Sequence, residues 1–298
     1  MENNTGSIPV LSVKGCTLPE AWEKAVVACW EHGTDVRTEY DRKDAAGNYI
    51  DPPSRDCTIM IEIAEPFGEP RVHKNFPGGP EELEVYRQEV LDGIHDHWVD
   101  PTDPDKWTYT YHQRIFAYAP TENLEDPSAA KLKTIDQIEY IVSKLAEAAH
   151  TRRAQAITWM PTADPQTFDP PCLQRLWFRI LPDAAGRPVL NLNTHWRSRD
   201  GYKAWFMNAF ALTDLHRAVA RRISERTGSE VLVGRYVDIC DSFHIYGSYF
   251  SDFKPEFEKM KQGNWQDRAW NSDHPALQIM FEETREKLAK DRDYMKKG

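Results

Sequence analysis

Apolar residues Ile135, Ile138, Ile141, Val142 and Leu145 return at three- and four-residue steps, the spacing of a helix with one buried face. "TIDQIEYIVSKLAEAA" therefore predicts an amphipathic helix capped at Thr134 and ending near His150. Beyond it the period changes. "AQAITW", "LQRLWFRI", "VLNLNTHW" and "VLVGRYVDI" alternate and are rich in β-branched or aromatic residues, which predicts strands. A long helix, Tyr202 to Arg226, separates the last two and is ended by "TGSE". The first hundred residues are less regular. They predict a helix from Pro19 to Trp30, a polar loop "DRKDAAGNYIDPPSRD", a strand "CTIMIEI", a helix from Glu81 to Ile94 and a proline-rich loop "WVDPTDPDKW". With no internal repeat and no low-complexity linker, this mixture predicts one α+β domain with a large sheet.

Composition narrows the functional classes. The chain of 298 residues is long enough for a sizeable core, and 40% hydrophobic content is that of a globular protein. A formal charge of −10 argues against general nucleic-acid affinity, which depends on lysine and arginine neutralising phosphates. A small anion would need a local arginine cluster. Cys16, Cys29, Cys57, Cys172 and Cys240 are odd in number, widely spaced and without a CxxC pair, so no disulfide framework or zinc ribbon is indicated and a cytoplasmic setting is expected. The start "MENNTGSIPV" does not read as a signal peptide, and no apolar run approaches the roughly 18 residues of a membrane span, so no membrane association is expected.

Four stretches can carry chemistry: "HTRRAQAITWMP", "DPPCLQ", "HWRSRD" and "SFHIYGS". Taken singly, each has an ordinary alternative: a solvated arginine pair, a buried cysteine, surface charge, a plain strand. His95 and His97 would suit a metal, but no third ligand stands at a recognisable spacing, and a solvated helix end is the simpler expectation.

In order and separation these stretches resemble the thymidylate synthase family: "IDQIEYIVSKLAEAAHTRR", "ITWMP", "PPC", "RSRD", an asparagine eight residues after the "RSRD" aspartate, then "HIY". The resemblance runs from about Tyr109 to Tyr246. It implies a thymidylate synthase-like single domain over 1–298, with a large mixed sheet flanked by helices, a divergent 1–105, a family core at 106–250 and a divergent 251–298. It also implies 5,10-methylenetetrahydrofolate as cofactor, a pyrimidine nucleoside monophosphate as substrate, and a homodimer with shared active sites.

The resemblance assigns roles residue by residue. Cys172 is the nucleophile: a thiolate adds reversibly at the pyrimidine C6 and makes C5 a carbon nucleophile. Nearby arginines are expected to lower its pKa. Arg197 and Ser198 bind the phosphate from one subunit, and Arg152 and Arg153 from the other. A further arginine comes from an N-terminal loop. Arg55, in "PPSRD", is the best candidate, with Arg37 and Arg42 nearby. Asn208 shares the stripe of Trp205, Leu212, Leu215 and Val219 on the long helix, where a polar amide needs a partner. In the family it reads the N3 and C4 edge of the base. Asp200 contacts the base and folate region, and His244 and Tyr246 hold a sugar hydroxyl. The glutamate that organises proton transfer falls in "PEELEVYRQEV", where Glu82 is preferred to Glu84, and Tyr111 matches the tyrosine near the nucleophile. A surface glutamate and a core tyrosine are the alternatives for those two.

The chain also departs from the family. Leu173 follows the nucleophile where most members have histidine, "CDSFHIY" lacks the usual glycine pair, "KAWFMN" replaces "LGLPFN", and "DRDYMKKG" lacks the apolar ending that closes over folate. These features resemble a divergent branch holding archaeal-type synthases and nucleotide hydroxymethylases. They imply hydroxymethylation of a cytidine nucleotide, CMP or dCMP, as in the CMP hydroxymethylases of nucleoside-antibiotic pathways. Asn208, the uracil reader of ordinary synthases, keeps dUMP open. A member that binds nucleotide or transcript without turnover is the non-enzymatic alternative.

Overall fold

A computed structural model describes residues 6–100, 103, 105–120 and 133–295, with side chains as far as residue 290. Pro101, Thr102 and Pro104 of the proline-rich loop lie outside the described residues. In chain order the elements are β1 (Val10–Gly15), α1 (Leu18–His32), β2 (Thr34–Val36), β3 (Ser54–Ile63), β4 (Val72–His73), α2 (Gly79–Asp92), α3 (Tyr111–Phe116), α4 (Gln137–Glu147) and β5 (Gln155–Ile157). They continue with β6 (Leu173–Pro182), β7 (Pro188–Trp196), β8 (Arg199–Asp200), α5 (Trp205–Thr227), β9 (Leu232–Ile245), α6 (Phe250–Lys261), β10 (Ala269–Trp270) and α7 (Pro275–Met295).

The main sheet runs β1-β3-β9-β7-β6-β5, with β2 beside β3 and β8 beside β9. It is mixed: β1 with β3 and β7 with β9 are parallel, whereas β3 with β9, β6 with β7 and β5 with β6 are antiparallel. This is the α+β architecture with a large mixed sheet expected from the sequence. Alternation decides which face is buried. Leu176, Phe178 and Ile180 of β6 and Leu190 and Leu192 of β7 point into the core, where α5 supplies Phe206, Ala209, Leu212 and Val219. The residues between them, among them Trp177, Arg179 and Asn193, point to the other face, where Ile157 and Met60 remain 42% and 46% exposed. Gly228 ends α5 with φ 71°, the left-handed conformation that glycine adopts without a Cβ clash.

Four local expectations need correction. Asp136, not Thr134, caps α4: its carboxylate accepts from the Glu139 N–H at 2.8 Å, because Ile135 is held outside the helix by paired backbone hydrogen bonds with Tyr118. The strand expected over "AQAITW" is only Gln155–Ile157, and the long helix begins at Trp205 rather than Tyr202 because Asp200 first turns the chain by accepting from the Tyr202 and Lys203 N–H groups. The last long strand also runs further than "VLVGRYVDI", through Ile245, which puts His244 inside β9. No helix among the described residues is long and apolar enough to cross a membrane.

Candidate active site

Cys172 ends the turn that follows Pro170 and Pro171 and leads into β6. Two side chains hold the turn. Arg197, just past β7, donates from Nε to the Pro171 carbonyl at 3.1 Å and from Nη2 to the Pro170 carbonyl at 2.5 Å. Its backbone N–H donates to the Cys172 carbonyl at 2.9 Å. On the other side the Tyr111 hydroxyl accepts from the backbone N–H groups of Cys172 at 3.2 Å and Leu173 at 3.1 Å. The half-buried sulfur makes a long contact, 4.0 Å, to the Pro170 carbonyl. Burial pushes the Cys172 thiol above its ordinary value, with Arg197 and Arg199 opposing and Asp169 adding to the rise. The sequence-based expectation of a lowered pKa is therefore corrected: within one chain, desolvation outweighs the arginines.

Two cavities flank this turn. A cavity of ≈ 440 Å³ is lined by Tyr86, Glu89, Trp107, Tyr109, Tyr111, Phe168 and Asp169 among others. A smaller one of ≈ 240 Å³ is lined by Tyr40, Asp41, Asp51, Tyr246 and Tyr249, with Gly247 and Ser248. The Tyr40 hydroxyl donates to Asp169 at 3.1 Å and joins their walls. Gly247 is required here, since a Cβ would lie 1.8 Å from the Pro52 carbonyl oxygen of the loop that carries Asp51.

The "RSRD" turn divides its arginines. Arg197 faces the cysteine loop, and Ser198 is half-buried beside it. Arg199 points inward, is 3% exposed, pairs with Asp238 and lies 3.8 Å from the Trp196 ring centroid. Asp200 in β8 lies next to His244 in β9, and burial raises its carboxyl to about 6. His244 is 4% exposed. Nδ1 lies 3.2 Å from the Ser242 carbonyl, Nε2 has no hydrogen-bond partner among the described residues, and burial pushes the ring down to about 4. With Nδ1–H donating, Nε2 is left as a buried acceptor. The Tyr246 ring stands 4.4 Å away. On α5, Asn208 is 7% exposed and is a hydrogen-bond partner of the Tyr86 hydroxyl.

Not every expected residue gathers here. Arg152 and Arg153 sit exposed before β5, and no side-chain partner of either is seen among the described residues. Arg55 lines neither cavity: its guanidinium is occupied by the Trp30 carbonyl at 3.2 Å and by Asp35 at 2.8 Å. Arg37 is better placed, bonded to the Asp51 carbonyl at 2.8 Å and to Asp41 at 3.1 Å on the wall of the smaller cavity. Arg42 is committed to the Asp51 carboxylate at both oxygens.

Glu82 is exposed in the first turn of α2 and lines neither cavity. Glu84 is buried under Arg87, Gln88 and Arg285. The glutamate on the larger cavity is Glu89, seven residues beyond Glu82 on the same helical stripe. That i to i+7 spacing makes Glu89 an equivalent of Glu82 in the sequence, without ranking the two. His95, expected at a solvated helix end, is instead half-buried, 2.6 Å from Glu89 and stacked 3.7 Å from the Trp98 ring centroid.

Trp107, Tyr109 and Phe168 present aromatic surface to the larger cavity beside polar Glu89 and Asp169. The thymidylate synthase family model matches residues 83–289, reaching beyond both ends of the Tyr109–Tyr246 segment. Among relatives, a protein named "Putative thymidylate synthase" in Methanococcoides burtonii is 27% identical over 78% of this chain and 88% of its own. Proteins of the same name in Methanocaldococcus jannaschii and Methanopyrus kandleri are 26% and 29% identical, over 80% and 71% of this chain and 91% and 84% of their own. A mixed sheet that presents a "PPC" cysteine to an arginine of "RSRD" accounts for a match of that extent, and the chain belongs to the thymidylate synthase family.

Proposed function

We propose that this protein transfers a one-carbon unit to C5 of a pyrimidine nucleoside monophosphate, and that the product is the 5-hydroxymethyl derivative of a cytidine nucleotide. The observation that carries the reading is the Cys172 turn, clamped by Arg197 and Tyr111 beside an aromatic cavity with a carboxylate in its wall. Cys172 adds to C6, and the electron pair this releases into the ring makes C5 nucleophilic. Trp107, Tyr109 and Phe168 would hold methylenetetrahydrofolate, which would supply the one-carbon unit. Arg197, Ser198 and Arg37 receive the phosphate, because guanidinium groups match its oxygens in pairs. His244 Nε2, a buried acceptor without a partner among the described residues, receives a sugar hydroxyl beside Tyr246. Asp200 faces the base and folate region.

Asn208 is compatible with either base, because its amide can turn its oxygen to the amino group of cytosine or its NH2 to the C4 carbonyl of uracil. Methylation of dUMP is the second reading, favoured by Asn208 being an amide rather than a carboxylate. Incubating the protein with methylenetetrahydrofolate and CMP, dCMP or dUMP separates the two. A nucleotide about 30 mass units heavier without dihydrofolate absorbance is expected from a cytidine nucleotide, as addition of CH2O requires. A dUMP product about 14 units heavier, formed in step with dihydrofolate, would leave an ordinary synthase.

The second subunit supplies Arg152 and Arg153 in this reading. Helices cover one face of the sheet, and the opposite face, carrying Trp177, Met60 and Ile157, is where a second copy packs. Mixing inactive Cys172→Ala with inactive Arg153→Ala protein should then restore activity, up to about a quarter of wild type, since one hybrid site keeps both groups. No recovery after verified subunit exchange counts against shared sites.

A further inference from the structure

Glu89 and His95 stand at the end of α2, 2.6 Å apart, with the carboxylate in the cavity wall and the imidazole behind it. The imidazole is fixed by its neighbours, stacked on Trp98 and edge-on to Trp107 at 5.7 Å. Both side chains are mostly buried, at 13% and 18% exposure. Leu173, which follows the nucleophile, is fully buried and has no proton to exchange. The charged and titratable groups around Glu89 are His95, Tyr86 on its own helix, Tyr109 and Tyr111 beside the nucleophile, and Lys106 and Asp169 across the cavity.

We propose that Glu89 and His95 form a proton-sharing pair that activates the water added to the one-carbon unit, with Glu89 as base and His95 as the residue that positions it. The inference rests on the hydroxymethylation reading. In the step assigned to the pair, the nucleotide is bound through C6 to the Cys172 sulfur and carries a methylene group on C5. A water oxygen bonds to that methylene carbon and its proton passes to Glu89. The methylene π pair moves into the ring at C5, then re-forms C5=C6 and expels the Cys172 thiolate. No oxidant or reductant is consumed. Burial brings the Glu89 carboxyl up to about 7, and the His95 imidazole 2.6 Å away is the group with which it can exchange a proton.

The test uses the full-length protein with methylenetetrahydrofolate and the accepted nucleotide, and reads product mass, the pH profile of kcat/KM and the NMR titration of His95. Wild-type activity should rise through about pH 7 as the base ionises. Glu89→Gln should lower the rate by about 10²- to 10⁴-fold and abolish that limb, and it should shift the His95 titration to lower pH in the nucleotide-free protein. His95→Phe keeps the stack and removes the donor, moving the limb up by about one pH unit, while His95→Gln, which keeps a donor, should restore it. A wild-type product about 14 mass units heavier overturns water activation together with the hydroxymethylation reading. A hydroxymethyl product with the same pH limb in wild type and His95→Phe, or a His95 titration unmoved by Glu89→Gln, overturns the pair alone.

Discussion

Replacing Cys172 by serine should lower turnover by roughly 10⁴-fold or more while nucleotide binding persists. A serine hydroxyl is a harder and far less ionised nucleophile than a thiol, and the chemistry needs a group that adds at C6 and later leaves. The turn itself should survive, because Arg197 and Tyr111 grip its backbone rather than its sulfur. Calorimetric titration with the nucleotide should therefore give near wild-type affinity, alongside a mass-spectrometric assay without product. Product formed at more than a few per cent of the wild-type rate, roughly a hundredfold above expectation, would remove the nucleophile assignment.

Asp238→Ala should cost about 3–5 kcal/mol of folding free energy, the larger part of it from leaving the Arg199 charge buried without its partner. Asp238 is fully buried and accepts from Arg199, from the Tyr236 hydroxyl at 2.9 Å and from the Thr194 hydroxyl at 3.1 Å. Arg199 in turn lies over Trp196, whose ring meets Tyr111 edge-on at 5.8 Å, so the pair underpins the wall beside Cys172. Denaturant unfolding should show a lower midpoint at unchanged slope. Adding Arg199→Met to Asp238→Ala should recover part of the loss, because the stranded charge is gone. A midpoint within error of wild type for the single variant would show that water or another group takes over the charge.

Strands β6 and β7 were legible in the residues themselves, because alternation reports one buried face whatever that face packs against. The cysteine turn and the "RSRD" turn were legible as chemistry, being short segments whose residue types and order carry the resemblance. What the sequence left open was selection among equivalent positions. Glu82 and Glu89 lie on one stripe of α2, and periodicity cannot rank them. The contact of that helix with α5 and the placing of Tyr86 and Tyr111 give the cavity to Glu89. Among the N-terminal arginines the linear reading preferred Arg55 to Arg37 and Arg42, and the register of β2 with β3, which sets Asp35 opposite Arg55, takes Arg55 out of the cavity wall. Arg197 and Arg199 stand two residues apart with the same parity, yet Arg197 in the turn after β7 clamps a loop while Arg199 in β8 holds a buried aspartate. The sequence by itself determined the strands of the sheet, the candidate nucleophile and the family. The tertiary structure decided which acid lines the cavity and which arginine holds the cysteine turn, because periodicity specifies the direction of a side chain while its neighbours come from other segments of the chain.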